Sequence, residues 1–412
     1  MQENRNSIVL TTYACHPKRG SEPGHGWGFL LIASRLAAQH NFKCVCITLP
    51  RYVEPIKTEM HKLNLSRNIE ILAVSIPRIF DAPTNGFLLR LGYIVWCLKT
   101  RRVIKKMDYS KIKAIHHVNY SSEVLPNPLP KRNIYPIKKI IGPLGSTQNL
   151  NVSRLLVKDY LDWLILFMDT TKVIISRLLF TLFVPKDVHV IANNDLIVNQ
   201  IYSQRVKNKK LKNRSLRVYP SLILEDTKPA KENFLDSRDS LRFIIVGVFN
   251  RRKKIDFAIE ALANFSTANF HCDIYGEGPE EENLKKFAGK LGISEKISWK
   301  GTIDRDTLRS LLPSYNAVLH PSVREAASTI TGESIIAGVP IIGFEGTGLA
   351  GTMSLYGLNR YLVSTSKITK RSTLIESYVQ KLNESINSRI SIGNPFAVEI
   401  VQAEVSRWYE ID

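Results

Sequence analysis

Short apolar runs recur along the chain, separated by segments whose apolar positions return every three or four residues. NSIVLTTYA (6–14) predicts a strand, HPKRGSEPGHGWG (16–28) a glycine-rich loop, and WGFLLIASRLAAQ a helix. CVCITLP and IEILAVSIP predict two more strands flanking a helix, YVEPIKTEMHKL, and AIHHVNY (114–120) and KIIGPLG (139–145) predict a further pair. Strands of this kind alternating with amphipathic helices predict βαβ units on a parallel sheet. The pattern then breaks. Residues 205–217 hold seven basic residues and 225–240 are polar without period, which marks a domain boundary, although the charge run alone has the composition of a solvated linker. It restarts at LRFIIVGVF (241–249) and continues through FHCDIYG, ISWKG, AVLHPS and VPIIGF, with helices between them. The expectation is an α/β chain of two doubly wound, Rossmann-like domains. The first covers 1–220, a linker 221–240, the second 241–393, and a last amphipathic helix at 394–412 packs back toward the first. Two such domains predict a ligand cleft between them, at the carboxyl ends of the strands.

Composition narrows the class. The chain has 412 residues, 44 % hydrophobic and 23 % charged, which suits a globular protein of two or more domains and excludes collagen, a disordered tail and a bare coiled coil. Lys plus Arg is 57 against 37 for Asp plus Glu, a formal net charge of +20. That surplus suits nucleic acid, an anionic membrane face or phosphorylated substrates. Aromatics are not interleaved with the basic runs and no nucleic-acid-binding signature is present, so a nucleic-acid partner is not expected. The cysteines Cys15, Cys44, Cys46, Cys97 and Cys272 form no CxxC and no Cys/His cluster. The reading is a reducing, cytoplasmic compartment and no zinc site. MQENRNSIVL has no signal-peptide pattern, and charges at Asp162, Asp169, Lys172 and Arg177 interrupt the apolar stretch 155–184 before it could span a bilayer. Residues 86–106 and 154–186 still mix apolar residues with cations, which suits either a core-facing helix with a basic outer face or a helix lying on an anionic membrane.

The sharpest constellation is HPSVREAASTITGESIIAGVPIIGFEGTG. Glu325 and Glu333 are separated by seven residues, the first in a loop after a strand, the second in the early turns of a helix that opens near Thr329. A helix N-terminus offers unpaired N–H groups and a positive dipole end, which can take a diphosphate without a metal. Two glutamates alone would be ordinary surface residues. Their flanks, Ala337-Gly338-Val339-Pro340 and the glycines of 343–348, argue otherwise. Lys253 sits in the run Arg251-Arg252-Lys253-Lys254, whose bland interpretation is a solvated face. Of the adjacent His116 and His117, at most one can face a given side of a strand, and either reads equally well as a core residue.

With these residues the chain resembles the retaining nucleotide-sugar glycosyltransferases of the GT-B fold, in the group 1 or family 4 type that carries an E-x7-E signature. Glu325-x7-Glu333, Gly276-Glu277-Gly278-Pro279 and Gly301 match in the second half. Gly20-Ser21-Glu22-Pro23-Gly24-x-Gly26-Trp27, His116-His117-Val118 and Gly142-Pro143-Leu144-Gly145 match in the first, so the likeness spans roughly residues 7–350. The resemblance implies a hexosyl-type transfer with retention, from a nucleotide-diphosphate sugar to a glycan or lipid-linked saccharide, in cell-surface polysaccharide biosynthesis. It implies no metal and no cofactor beyond the donor substrate. By the same likeness Glu333 would accept hydrogen bonds from the donor ribose, and Glu325 would hold hydroxyls of the transferred sugar. Lys253 would hold the diphosphate, with backbone N–H groups of Ser328, Thr329 and Ile330 and the turn at Gly247. His117 would line the reacting sugar, and Gly24 and Gly26 would let the first loop approach the phosphates. The chain departs from the pattern at Val248, where an arginine is usual, so that Arg251 or Arg252 would supply the guanidinium. It departs also at Ala326-Ala327-Ser328 and at Ser146. A sugar-nucleotide epimerase of the same fold is the alternative, and a basic nucleic-acid-binding protein, suggested by charge alone, the alternative of a different class; a dehydrogenase is disfavoured because Gly20, Gly24 and Gly26 do not make a GxGxxG.

Overall fold

The apolar runs of the first half pair into one parallel sheet because they are buried on both faces, as strands covered by helices must be. Its strands are β1 (Ser7–Thr11), β2 (Lys43–Thr48), β3 (Ile69–Ala73), β4 (Ile112–His117), β5 (Lys138–Leu144), β6 (Val188–Ala192) and β7 (Leu216–Val218), in the order β3-β2-β1-β4-β5-β6-β7. Ile8, Val9, Leu10, Ile115, Ile140 and Val190 form its buried spine. The second half builds a six-stranded parallel sheet from β8 (Leu241–Val246), β9 (Phe270–Tyr275), β10 (Ile297–Gly301), β11 (Ala317–Leu319), β12 (Ile341–Phe344) and β13 (Leu362–Val363), ordered β10-β9-β8-β11-β12-β13. Each order reverses direction once, between β1 and β4 and between β8 and β11. That reversal is the topological switch point at which doubly wound sheets hold ligands. In this computed structural model the described residues are 6–19, 21–81, 86–121, 124–131, 136–145, 150–185, 187–194, 197, 216–220, 222–224, 240–266, 269–325 and 328–411.

The chain divides into two compact units. One holds the described residues of 1–145, 172–223 and 397–412, the other those of 146–171 and 224–396. The sequence partition differs at residues 146–171, which it placed in the first domain. The described ones, 150–171, pack with the second because buried Asp162 accepts a hydrogen bond from Lys254 Nζ at 3.0 Å and Asp169 accepts one from Arg324 Nη1 at 2.7 Å. The division falls inside helix Tyr160–Phe183. Helix Val398–Tyr409 belongs to the first unit. There Trp408 stacks on Phe29, and His116 Nδ1 accepts a hydrogen bond from the Tyr409 hydroxyl at 2.9 Å. Most of the proposed linker 221–240 lies outside the described residues, as does the basic run up to 215; Leu216 and Arg217 at its end belong to β7.

A second difference concerns the glycine-rich segment. Helix Ser21–Gln39 begins inside it, so Gly24 and Gly26 are helical, not part of a loop. Pro23 is tolerated because a first-turn N–H has no intrahelical partner to lose. A β-carbon at Gly26 would lie 2.1 Å from the Ala14 carbonyl oxygen, and one at Gly24 2.4 Å from that of Arg19. Close packing of the helix against the protein's own backbone therefore requires both glycines. Gly20 lies outside the described residues.

Candidate functional site

In the first unit the motif residues cluster where β1 and β4 meet, and their polar atoms are satisfied internally. His117, at the end of β4, is wholly buried. The Tyr93 hydroxyl donates to the Pro126 carbonyl at 2.9 Å, so the 2.8 Å contact with His117 Nε2 is a bond donated by the ring, and Nδ1 accepts from the Thr11 hydroxyl at 2.9 Å. His116 is placed likewise: Nε2 donates to the Gly142 carbonyl at 2.8 Å. Burial first, with His116 beside His117 and His189 beside His116 adding to it, holds His117 at a pKa of about 3 and His116 at about 4, so both rings are neutral near pH 7. The expectation that His117 lines an open site is corrected here: it sits in the core. Nearby, Glu22 accepts from the Tyr120 N–H at 3.0 Å, and the Asn119 side chain donates to the Glu22 carbonyl at 3.0 Å. Both acceptors tie the helix start to the end of β4.

The second unit is built differently. The loop after β8 carries Gly247 to Lys254. Its turn is fixed by Asn250, whose side-chain oxygen accepts from the N–H groups of Arg252 and Lys253 at 3.1 and 3.2 Å. Such an Asx turn replaces the missing ladder bonds. Behind it, Gly276 has φ +137° and a β-carbon there would lie 1.9 Å from the Gly247 carbonyl oxygen. Only glycine permits this approach of the two backbones, which are stitched by Phe249 N–H to Glu277 O at 2.9 Å. The Lys253 side chain runs past Gly247, where a β-carbon would lie 3.4 Å from Cε. Lys253 Nζ then reaches the carboxylate of Glu325, in the loop after β11. The pair joins the two loops that flank the switch point between β8 and β11.

Glu325 also accepts from the Ser322 hydroxyl at 3.1 Å and faces His320 Nε2 at 3.8 Å. Burial works to raise its pKa, but the Lys253 ammonium, His320 and the Ser322 bond together hold it below the ordinary carboxylate value. His320 is pushed down to about 4 by burial, against the attraction of Glu325. Glu333 lies eight residues on, in helix Thr329–Ile336, and is buried. Burial raises its pKa, although Arg305 Nε at 3.1 Å and Arg309 Nε at 3.7 Å pull the other way. Thus the two glutamates are shifted in opposite directions, Glu325 down by its charged and hydrogen-bonding partners and Glu333 up by burial, and they face different cations: one lysine for Glu325, two arginines of helix Arg305–Leu311 for Glu333. Ser328 stands at the N-cap of helix Thr329–Ile336, and its side chain makes no capping bond among the described residues. Ala326 and Ala327, between the glutamates, lie outside them, as does Ser146.

The basic run separates into different roles. Arg251 Nη1 donates to both oxygens of Asp159 at 2.7 Å, and its Nε lies 3.5 Å from Glu280, so its charge is balanced within the unit. Lys254 is buried on Asp162 and the Leu156 carbonyl. Arg252 is exposed. Sequence reasoning missed Arg305, Arg309, Ser322, His320 and Asn250. Only Asn250, two residues before the turn it closes, carried a readable signal. Among the described residues no group of three or more His, Cys, Asp or Glu is disposed to hold a metal, and no helix is long and apolar enough to cross a membrane.

Two parallel-sheet Rossmann-like units define a GT-B class of protein, and solved structures of that class match along the chain. Sucrose-phosphate synthase from Thermosynechococcus elongatus matches at a TM-score of 0.58 and 13 % identity, covering 98 % of each chain. WaaG, a glycosyltransferase of lipopolysaccharide biosynthesis, matches at 0.53 and 15 %, covering 98 % of this chain and 94 % of its own. At these identities the likeness concerns the fold. The model of the glycosyl transferases group 1 family matches residues 227–389, the stretch that holds Lys253, Glu325 and Glu333. The GtfA subunit of the Streptococcus parasanguinis UDP-N-acetylglucosamine–peptide N-acetylglucosaminyltransferase is 31 % identical over 134 residues, 32 % of this chain and 26 % of that protein. The gpi3 subunit of phosphatidylinositol N-acetylglucosaminyltransferase from Schizosaccharomyces pombe is 24 % identical over 180 residues, 43 % of this chain and 38 % of that one. The chain thus matches about a quarter to two fifths of the length of these curated relatives.

Proposed function

We propose that the protein is a retaining glycosyltransferase that moves a hexosyl group from a nucleotide-diphosphate sugar to a glycan or lipid-linked saccharide, in the cytoplasm, during cell-surface polysaccharide synthesis. The observation that carries the reading is the Lys253–Glu325 pair at the switch point of the second sheet, eight residues before Glu333 on the helix that follows. Lys253 and Arg252 meet the donor diphosphate together with the first N–H groups of helix Thr329–Ile336, at Ser328, Thr329 and Ile330. Glu325, released from Lys253, turns to hydroxyls of the transferred sugar, and Glu333 to the ribose. The five free cysteines, all buried, suit a reducing compartment.

Sugar transfer breaks the bond from the anomeric carbon to the donor phosphate oxygen, so negative charge grows on the leaving diphosphate. Fixed cations and a helix N-terminus stabilise that charge where it develops, and residues supply them without a metal. The acceptor oxygen bonds to the anomeric carbon from the face the phosphate leaves, and its proton passes to the departing phosphate oxygen. No separate base is then needed. UDP-sugars are the first donors to test, because the streptococcal relative is named for one. Saturation at a hundred times Kd should stabilise the folded protein by about 2.7 kcal/mol in a thermal-shift assay. Proton NMR of the product should show the donor's anomeric configuration; an inverted linkage rejects retention, and the absence of any nucleotide-sugar effect rejects the function.

A further inference from the structure

Helix Tyr160–Phe183 is amphipathic the wrong way round. In a helix that seals a soluble core the apolar stripe faces inward and the charges face out. Here the inward positions of the first three turns are Asp162, Leu166 and Asp169, all buried. Asp162 accepts from Lys254 Nζ and from the Lys158 N–H, and Asp169 from Arg324. These bonds fix the rotation of the helix about its axis. Rotation so fixed turns Tyr160, Leu161, Trp163, Leu164, Phe167 and Met168 outward, with Tyr160 78 %, Phe167 67 % and Trp163 60 % exposed. At 3.6 residues per turn these six positions share an arc of roughly 160° that carries no charged residue. The other stretch of similar composition, helix Gly86–Lys105, spends its apolar face on the core, where Tyr93, Trp96, Cys97 and Ile104 are buried. Of these two helices, only Tyr160–Phe183 leaves such a stripe exposed among the described residues.

Because the arc is uncharged and rich in aromatics, its partner must be apolar where it touches. The chain's surplus of 20 positive charges selects among apolar partners. A second copy would carry the same charge and be repelled, whereas an anionic bilayer is attracted. Tyr160 and Trp163 combine an apolar body with a polar tip, which suits the headgroup boundary. Since no described helix can span a membrane, this one would lie along its surface. We propose that the outward face of residues 160–168 is a peripheral docking surface for an anionic lipid bilayer. The contact itself rests on the helix; its use, to bring the second unit to a lipid-linked acceptor, rests on the proposed function.

The full chain should co-sediment with vesicles of phosphatidylglycerol and phosphatidylcholine at roughly 0.15 M salt and should bind pure phosphatidylcholine much less. The double variant Phe167→Glu/Met168→Glu places carboxylates on the arc and should weaken partitioning by about tenfold or more. Trp163→Ser, a milder change at an exposed position, should weaken it in the same direction and serves if the double variant does not fold. Failure of the wild type to bind anionic vesicles overturns the inference, as does undiminished binding by the variants. A wild-type dimer in sedimentation velocity that the double variant dissolves would assign the stripe to a second copy and overturn it too. Donor-induced thermal stabilisation, measured on the same samples without vesicles, tests the proposed function separately: its loss in the wild type counts against that reading and leaves vesicle binding untouched.

Discussion

The two units treat their motif residues in opposite ways. In the first, Gly26 makes room for the Ala14 carbonyl, and His116 and His117 have both ring nitrogens bonded inside the protein. Neither imidazole awaits a ligand to complete it. In the second, Lys253 and Glu325 balance each other while each keeps part of its surface in solvent, 24 % and 16 % of the side chain. Glu333 is held against arginines across a helix, with its pKa displaced upward by burial. A motif residue whose polar valences are all filled by backbone and hydroxyls specifies a scaffold. One whose charge is balanced by another side chain can exchange that partner for substrate, and perturbed titration beside such an exchange is a mark of function.

The largest test falls on the scaffold side. His117→Ala removes a filled core volume and the ring's bonds with the Thr11 and Tyr93 hydroxyls, and should cost about 3–5 kcal/mol in urea unfolding of the full chain. Any folded fraction should keep its donor-induced shift. A loss of the shift with stability intact would place His117 in the site after all and break the comparison. Next in size is Lys253→Ala, which should abolish most of the roughly 2.7 kcal/mol stabilisation expected at a hundred times Kd. An undiminished shift in this variant would move the diphosphate elsewhere.

Acid should act through the buried imidazoles. Between pH 6.5 and their folded values of about 3 and 4, the unfolded chain binds protons that His117 and His116 refuse. Stability is therefore fully present above pH 6.5 and falls as pH drops toward those values. By pH 5 the loss should be about 2 kcal/mol for each imidazole. Urea midpoints at pH 7 and pH 5 measure it, and His116→Gln should flatten the dependence by its share. A pH-independent midpoint would mean that these rings are not desolvated as their surroundings require.

Much of this organisation could be read along the chain. Runs such as IVLTT, KCVCIT and FIIV announced parallel strands because burial on both faces leaves no polar alternation. The glutamate pair was visible because the residues flanking it mark a strand, a loop and a helix start. What escaped was set by long-range partners. Asp162 and Asp169 looked like interruptions of an apolar stretch; their meaning depends on Lys254 and Arg324, far along the chain, which draw residues 150–171 into the second unit. Arg305 and Arg309 carried no signal of their own, because only the fold sets them against Glu333. Strand β6 went unread because the outward apolar stripe of the helix before it blurs the change of period that usually marks a strand.

The smallest effects separate Arg251 from Arg252, which the sequence left as equal candidates for the guanidinium absent at Val248. Arg251 is already committed, its Nη1 forked onto Asp159 and its Nε near Glu280, with the side chain a quarter exposed. Replacing it removes partly exposed ion pairs, worth about 0.2–1 kcal/mol of stability, and should leave donor affinity nearly unchanged. Arg252 is exposed and, among the described residues, held through its backbone, by Asn250 and by the bond its carbonyl accepts from the Val323 N–H. Its guanidinium stays free to turn toward a phosphate one residue from Lys253. Arg252→Ala should therefore weaken donor binding by about tenfold, or 1.4 kcal/mol, with the unfolding midpoint unmoved. Titration of the two variants with the same nucleotide sugar decides between them. If Arg251→Ala loses the affinity instead, the acidic cluster around it must open when donor binds, and the line drawn between scaffold and site would pass through the basic run itself.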